Sequence, residues 1–123
     1  MTGQQAGLFG GPLFTLLKAI TALKLAEQVA RDHQVPAVAV FWIDAEDHDW
    51  EEVRSCSVFD SELTPRTLSL PPRPGADPVP VSTVRLDDSI HKAVADLSAV
   101  LPVTEFKESL LAALRRAYAP GTG

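Results

Sequence analysis

Apolar side chains between residues 12 and 32 recur with the spacing of a helix. Pro12 suits the first helical position, because an N–H there would have no intrahelical partner. The turns around residues 13–17 are apolar on nearly every side, whereas the last turns gather charged side chains on one side. The pattern predicts a helix from Pro12 to about Asp32 that begins deep in the protein and ends at its surface.

The next segment, VPAVAVFWID, is a continuous apolar run that is rich in valine. Such a run without alternation is typical of a strand buried on both faces, as in parallel sheets. It leads into the acidic segment DAEDHDWEE, as in a Rossmann-like unit, where ligands bind outside the carboxyl ends of strands. Such a unit also needs a strand before its first helix. Only Met1 and Thr2 precede the glycine-rich stretch GQQAGLFGGP, so we expect that strand to be missing.

The second half has a looser pattern, in which residues 61–86 hold most of the prolines. Two short β-like runs, RTLSL and VPVSTVRL, predict edge strands or an extended excursion, because proline excludes central strands. We expect two helices to follow. The first runs from about Asp88 to Val100, with Asp87 or Asp88 as its cap, and the second from about Glu105 to Tyr118, with Thr104 as its cap. The chain thus divides into a core segment at 1–60, the excursion at 61–86 and a helical segment at 87–123.

Composition narrows the class of protein. The 123 residues are 46% hydrophobic and 22% charged with a net charge of −5, which suits at most one soluble globular domain. The single cysteine, Cys56, favours a reducing, cytoplasmic compartment, although its role stays open. The absence of a basic stripe argues against nucleic acid as a partner. We find neither a secretory signal nor an apolar run long enough to span a membrane.

Two long blocks carry a family resemblance: TGQQAGLFGGPLFTLLKAITALKLAE and PAVAVFWIDAEDHDWEEV. They resemble the bacillithiol-biosynthesis cysteine-adding enzymes, a family of cysteine ligases. The later segments LPPRPGADPVPVSTVRLDDSI and LPVTEFKESLLAALRRAYAPG are similar to the parts that follow in that family. The resemblance covers essentially all of this chain but only part of the family's length. We therefore expect a chain that is truncated at both ends relative to the family.

The resemblance implies a fold and a reaction. Family members join L-cysteine to glucosaminyl malate in the last step of bacillithiol biosynthesis. They have a Rossmann-like core similar to nucleotidyltransferases and class I synthetases, a long coiled coil and a dimeric assembly. The fold class expected here is α/β, a fragment of that core in which a parallel strand is flanked by helices. The proline-rich excursion and two C-terminal helices would complete it.

Ligation in water needs an activated carboxylate, and ATP or another nucleotide is the usual means, through a phosphate or adenylate. The residues predicted to bind the nucleotide are Gly3, Gln4, Gln5, Gly7, Gly10 and Gly11. Their spacing matches neither G-x-G-x-x-G nor a P-loop, and the HIGH tetrad is absent. On the residues alone, a tight turn into a helix is the favoured explanation of the glycines. The resemblance favours binding, because this block is one of the most distinctive in the family.

The predicted catalytic residues are Glu46, Asp47, His48 and Asp49. Acidic residues also favour the first turn of a helix, which is the plainer explanation. The density of like charge instead favours one of three functions: a Mg²⁺ site for ATP phosphates, a binding site for the amine of cysteine or glucosamine, or a general base at His48. The resemblance favours such a site, facing the glycine-rich stretch. A zinc site is disfavoured, because the histidines are scattered and no cysteine pair exists.

Other interpretations stay open at this point. An ATP-dependent nucleotidyltransferase-like or synthetase-like domain that activates a different carboxylic acid would carry the same features. A truncated, non-catalytic fragment would do so as well. Lys18 could contact a phosphate, but a solvated side chain is the commoner role for such a lysine. For Trp42 and Trp50, packing is the default role and stacking on a ligand the second.

Overall fold

Short strands alternate with helices in the computed structural model of the chain, which describes residues 1–73, 75 and 79–123. The strands are β1 (Thr2–Gln5), β2 (Phe41–Asp44), β3 (Ser55–Phe59) and β4 (Pro65–Ser69). The helices are α1 (Leu13–His33), α2 (Trp50–Val53), α3 (Ser89–Val100) and α4 (Lys107–Ala117), with short 3₁₀ turns at Leu8–Gly10 and Val81–Thr83. The part of the predicted excursion at residues 74 and 76–78 lies outside the described residues.

A strand precedes the first helix, although the sequence predicted that it would be missing. That prediction was wrong. β1 pairs in parallel with β2, in a register that runs from Thr2 opposite Phe41 to Gln5 opposite Asp44. The Thr2 N–H donates to the Val40 carbonyl and the Ala6 N–H to the Asp44 carbonyl, both at 2.9 Å. Because α1 connects these parallel strands, residues 2–44 form a β–α–β unit with both carboxyl ends on one edge.

Close packing explains the glycine in β1. Gly3 lies opposite Trp42, and a Cβ atom on Gly3 would overlap the Trp42 indole. The lack of a side chain therefore lets the indole ring lie directly over the strand. The packing role expected for Trp42 is present, although 53% of the residue stays exposed.

The expected burial of the first helix and second strand is wrong for this chain. The helix itself is confirmed, but none of its residues is buried, and Leu13 at its start is 72% exposed. β2 covers only the end of the apolar run, and its Ile43 is 64% exposed. A helix that is apolar around most of its circumference needs cover on several sides. Within the described residues, the strand pair of β1 and β2 is too narrow to supply that cover.

One β-like run of the excursion forms a strand and the other does not. β4 pairs antiparallel with β3, from Ser55 opposite Ser69 to Phe59 opposite Pro65, which confirms a strand in RTLSL. The strand predicted in VPVSTVRL was wrong, because a 3₁₀ turn occupies Val81–Thr83. Pro80 has no N–H for a strand ladder. The Val81 and Ser82 N–H groups instead donate to the carbonyls of Asp47 and Ala45 at 2.9 Å.

Both C-terminal helices are present, with one cap as predicted. The Asp87 carboxylate accepts a hydrogen bond from the Ser89 N–H at 2.9 Å. Hydrogen bonds to Ser89 hold the pKa of Asp87 below its usual value. The Thr104 cap was wrong: α4 starts at Lys107, and only the Thr104 backbone carbonyl takes part, accepting from the Lys107 N–H at 3.2 Å.

The core joins these helices to the start of the chain. A buried cluster brings the 3₁₀ turn near β1, the segment after β4 and α3 together, and it consists of Leu8, Leu70, Ile90, Ala93 and Val94. Phe9, Trp50, Leu86 and Tyr118 pack around it. Among the described helices, none is both long and apolar enough to cross a bilayer. The core thus anchors the glycine-rich turn through Leu8 and Phe9, whereas α1 contributes no buried residue.

Candidate functional site

The glycine-rich turn and the acidic segment leave the same edge of the parallel strand pair. Gln5 ends β1 directly beside Asp44, which ends β2. From there, residues 6–12 turn into α1, and residues 45–49 lead to α2. The two segments that the sequence predicts to share a site therefore start as neighbours at the carboxyl ends of the strands.

A side-chain hydrogen bond links the two segments. The Gln5 amide nitrogen donates to Oδ2 of Asp47, and both residues are half-buried. Oδ1 of the same carboxylate accepts from the backbone N–H groups of His48, at 2.6 Å, and Asp49, at 3.2 Å. Asp47 therefore uses one oxygen to shape its own loop and the other to meet β1.

Gln4 points to a different partner. Nζ of Lys18, on α1, donates to Oε1 of Gln4 at 2.9 Å and approaches the Gly3 carbonyl at 3.4 Å. The same ammonium lies 5.2 Å from the centroid of the Phe14 ring. Because its oxygen is engaged by Lys18, the Gln4 amide has its N–H donors left for other partners. The sequence favoured solvation for Lys18 and gave no sign of this contact with the predicted site.

A cavity of about 510 Å³ opens beside the glycine-rich turn. Its walls come from the end of β1, the start of α1, the end of α2 and the start of β3. They are Gln4, Gln5, Ala6, Gly7, Gly11, Pro12, Leu13, Phe14, Glu52, Val53, Ser55, Cys56 and Ser57. Four predicted nucleotide-binding residues thus line it, namely Gln4, Gln5, Gly7 and Gly11. Gly3 lies under Trp42 instead, and Gly10 sits exposed at the turn.

The turn itself is tightly wound. Phe9, Gly10 and Gly11 follow one another with φ of 54°, 92° and 73°, in the left-handed region that favours glycine. The Gly10 and Gly11 N–H groups donate within the turn, to the carbonyls of Gly7 at 3.0 Å and Leu8 at 3.1 Å. At the first turn of α1, by contrast, the N–H groups of Leu13 and Phe14 have no intrahelical acceptor. The turn therefore sets the shape of the cavity, and the helix start provides backbone donors.

The comparisons with known proteins agree with this architecture. Residues 1–122 match the family described as bacillithiol biosynthesis BshC, N-terminal Rossmann-like domain. The chain belongs to this family. The BshC resemblance seen in the glycine-rich and acidic blocks is thereby confirmed, as is the Rossmann-like α/β fold with its parallel strand pair.

Individual BshC relatives align with between half and nearly all of the chain. The protein named "Putative cysteine ligase BshC" from Salinibacter ruber is 42% identical over 123 residues, covering 99% of this chain and 22% of that protein. Its namesake from Symbiobacterium thermophilum is 39% identical over 121 residues, covering 98% and 22%. That from Staphylococcus epidermidis is 48% identical over 62 residues, covering 50% and 12%. The chain spans about a fifth, 22%, of the length of the first two relatives.

The four predicted catalytic residues of this BshC chain are not themselves among the residues that line the cavity. Glu46 is exposed, and its carboxylate accepts from the Ser82 hydroxyl at 3.4 Å. His48 is exposed as well. Oδ1 of Asp49 caps α2 by accepting from the Glu52 N–H at 3.0 Å, which is the plainer role that the sequence allowed. Of the four, Asp47 is the one whose side chain bonds to a predicted nucleotide-binding residue, whereas Asp49 bonds to the backbone of Glu52, which also lines the cavity.

Two ionisable side chains that the sequence did not assign to the site line the cavity. Glu52 comes from α2 and Cys56 from β3. Burial raises the pKa of the Cys56 thiol, so the neutral thiol is the form present near pH 7. The register of β3 places Cys56 opposite Leu68, and nothing in the sequence pattern indicated that pairing. In the part of the chain that the structure describes, no three metal-ligating side chains converge on a cage.

Proposed function

We propose that this chain is the N-terminal part of an ATP-dependent ligase that joins L-cysteine to glucosaminyl malate, the last step of bacillithiol biosynthesis. The Gln5–Asp47 hydrogen bond is the observation that carries this proposal. It ties the acidic loop to the wall of a cavity at the carboxyl ends of parallel strands, where ligands bind in open α/β sheets. Amide formation needs a group near the attacking amine and a separate place for the nucleotide, and these two segments provide both.

The cavity suits the phosphates of a nucleotide. Its volume of about 510 Å³ is in the range of about 300–1,000 Å³ that is usual for small-molecule sites. The amides of Gln4 and Gln5 and the first N–H groups of α1 are hydrogen-bond donors, and the positive end of the helix dipole favours an anion. ATP would supply the free energy of ligation by turning the carboxylate into a better electrophile. In this arrangement, Gly7 and Gly11 keep the backbone close to the ligand.

A Mg²⁺ ion fits the same site only with help from the nucleotide. Mg²⁺ is commonly held by one or two carboxylates together with substrate phosphates. Glu52 is the carboxylate on the cavity wall, and Asp47 is bonded to that wall through Gln5. We assign Glu52 to the ion.

The amine of the acceptor needs a hydrogen-bonding and proton-accepting partner. The negative charge of Asp47 would attract an ammonium group, and the imidazole of His48 next to it is exposed. We assign orientation of the amine to Asp47 and the general base to His48, while Glu46 and Asp49 shape the loop. The lone cysteine favours a cytoplasmic enzyme, and the family resemblance favours a dimer.

A ligation assay on a full-length enzyme that contains this chain tests the proposal. Wild-type enzyme should join cysteine to glucosaminyl malate when ATP is supplied. Asp47→Asn should lower kcat/KM by about 10- to 100-fold without loss of folding, because a hydrogen bond to a charged group contributes about 1.5–3 kcal/mol. Asp32→Asn, the same change at the exposed end of α1, is the matched control and should have no effect.

Two results would contradict the proposal. Normal turnover after alanine replacement of all four residues from Glu46 to Asp49 would exclude the acidic loop from catalysis. Exchange of pyrophosphate into ATP with a different carboxylic acid, and none with cysteine, would instead support a synthetase-like activity.

A further inference from the structure

The C-terminal end of α4 reaches back to the glycine-rich turn. Tyr118 follows α4 directly, and its ring meets the Phe9 ring edge to face, with centroids 5.2 Å apart and planes at 69°. Edge-to-face contact of this kind is a favoured aromatic geometry. More than a hundred residues of chain therefore separate two rings that lie against each other.

Tyr118 is half-buried beside this turn. Burial raises the pKa of the Tyr118 phenol, so the neutral form is present near pH 7. Phe9 and Tyr118 both pack against the buried core cluster. The aromatic pair therefore joins the end of α4 to the turn at the edge of the core.

Backbone hydrogen bonds fix the segment that carries Tyr118. The Leu86 N–H donates to the Thr122 carbonyl, and the Gly121 N–H donates to the Leu86 carbonyl, both at 2.8 Å. The Tyr118 N–H closes the last turn of α4 on Leu114, also at 2.8 Å. With both sides of Tyr118 held in this way, its ring is a fixed support rather than a mobile tail.

The supported turn needs such help at Phe9. With φ of 54° and ψ of 28°, Phe9 has a left-handed conformation that residues with a side chain rarely adopt. Strained backbone of this kind persists when the surrounding structure fixes it. Two residues later, Gly11 enters the cavity wall, and Pro12 leads into α1.

We propose that Tyr118 is a positioning residue for the nucleotide site: by holding Phe9 in its left-handed conformation, it keeps the glycine-rich turn in the shape that binds a nucleotide phosphate. The identity of the ligand rests on the function proposed above, whereas the support of the turn by Tyr118 does not. Tyr118 touches no ligand in this arrangement and acts through Phe9.

Kinetics of a full-length enzyme that contains this chain test the effect on binding. Tyr118→Leu should raise the KM for ATP by about 10-fold or more, because small misplacements of a site are costly, while kcat changes little. Tyr118→Phe retains the ring and should restore most of the affinity. Leu111→Ala is the matched control, since Leu111 is fully buried in α4 but is no member of the core cluster around the turn. It should lower Tm and leave KM unchanged.

Amide NMR spectra of the 123-residue chain test the support itself, whatever the ligand. Tyr118→Leu should shift the Gly10 and Gly11 amide resonances, Tyr118→Phe should shift them much less, and Leu111→Ala should leave them in place. If Tyr118→Leu changes neither these resonances nor the KM, the proposal is wrong. Equal effects of Tyr118→Leu and Leu111→Ala would also overturn it, because they would indicate general loosening. Should wild-type enzyme show no ATP-dependent ligation, the proposed function fails and the spectra still decide the role of Tyr118.

Discussion

The side-chain amide of Gln5 donates to the carboxylate of Asp47 across 42 positions of sequence. This hydrogen bond is the one side-chain link that we find, within the described residues, between the predicted nucleotide-binding residues and the predicted catalytic ones. It exists because β1 and β2 are parallel neighbours that end together at Gln5 and Asp44. The strand pair thus aligns two segments that the sequence keeps far apart.

Removing either partner of this bond should impair a full-length enzyme that contains the chain. Gln5→Leu keeps the size of the side chain and removes the donor to Asp47. We expect kcat/KM to fall by about 10-fold or more, since a hydrogen bond to a charged group contributes about 1.5–3 kcal/mol. Gln28→Leu makes the same change on an exposed turn of α1 and should be neutral. A double-mutant cycle with Asp47→Asn measures the coupling, and strictly additive effects would show that the bond has no catalytic role.

The packing of Trp42 over Gly3 makes a prediction for stability. Gly3→Ala places a methyl group where the indole now lies, so Trp42 must move. We expect a loss of about 1–3 kcal/mol in the free energy of unfolding, as for other overpacked sites. Urea unfolding of Gly3→Ala measures this loss. In a Trp42→Leu background the same substitution should cost much less, and an equal cost in both backgrounds would refute the contact.

The sequence predicted the helices well and the first strand badly, for physical reasons. Helical spacing and caps are local signals, so α1 and α3 could be located to within a residue or so. β1 is four residues of Thr, Gly and Gln, which have little or mixed strand preference, and it is a strand because Phe41–Asp44 pairs with it. That pairing is long-range and leaves no local pattern.

Local sequence patterns also could not predict which segments are buried, or which residues of α2 and β3 line the cavity. An apolar run predicts that a segment can be buried, but not that this chain supplies the cover, and so α1 was wrongly expected to be covered. The approach of Gln5 to Asp47 was predictable, because the carboxyl ends of neighbouring parallel strands lie at one edge of a sheet. Cys56 and Glu52 instead reach the cavity from the β3–β4 hairpin and from α2. The positions of these two elements depend on the whole fold.

Two isoleucines distinguish the packed part of the chain from the exposed helix. Ile90, in α3, is 0% exposed, whereas Ile20, in α1, is 39% exposed. Ile90→Ala should therefore cost about 2–5 kcal/mol of unfolding free energy, and Ile20→Ala less than about 1 kcal/mol. Chemical denaturation of the two variants compares the same substitution in two environments. Comparable losses would mean that α1 is covered in solution, contrary to the structure.

The raised pKa values of Cys56 and Tyr118 predict a loss of stability at alkaline pH. Burial keeps both groups protonated in the folded chain at pH values where the unfolded chain has released its protons. The unfolded state then binds fewer protons, so the free energy of unfolding decreases as pH rises. The stabilisation is complete below the ordinary pKa of each group, about 8.5 for cysteine and 10 for tyrosine, and is lost as pH passes through the raised folded values.

Thermal unfolding between pH 7 and 11 measures this decrease. Because Tyr118 is the single tyrosine, absorbance of the tyrosinate ion follows its titration without overlap from another tyrosine. Its midpoint in the folded chain should lie above that in urea. Tyr118→Phe should flatten the decrease above about pH 10, and Cys56→Ser should flatten the part that starts near the ordinary cysteine pKa of about 8.5. A tyrosinate midpoint that is the same in folded and unfolded chains would contradict the burial of Tyr118 against the glycine-rich turn.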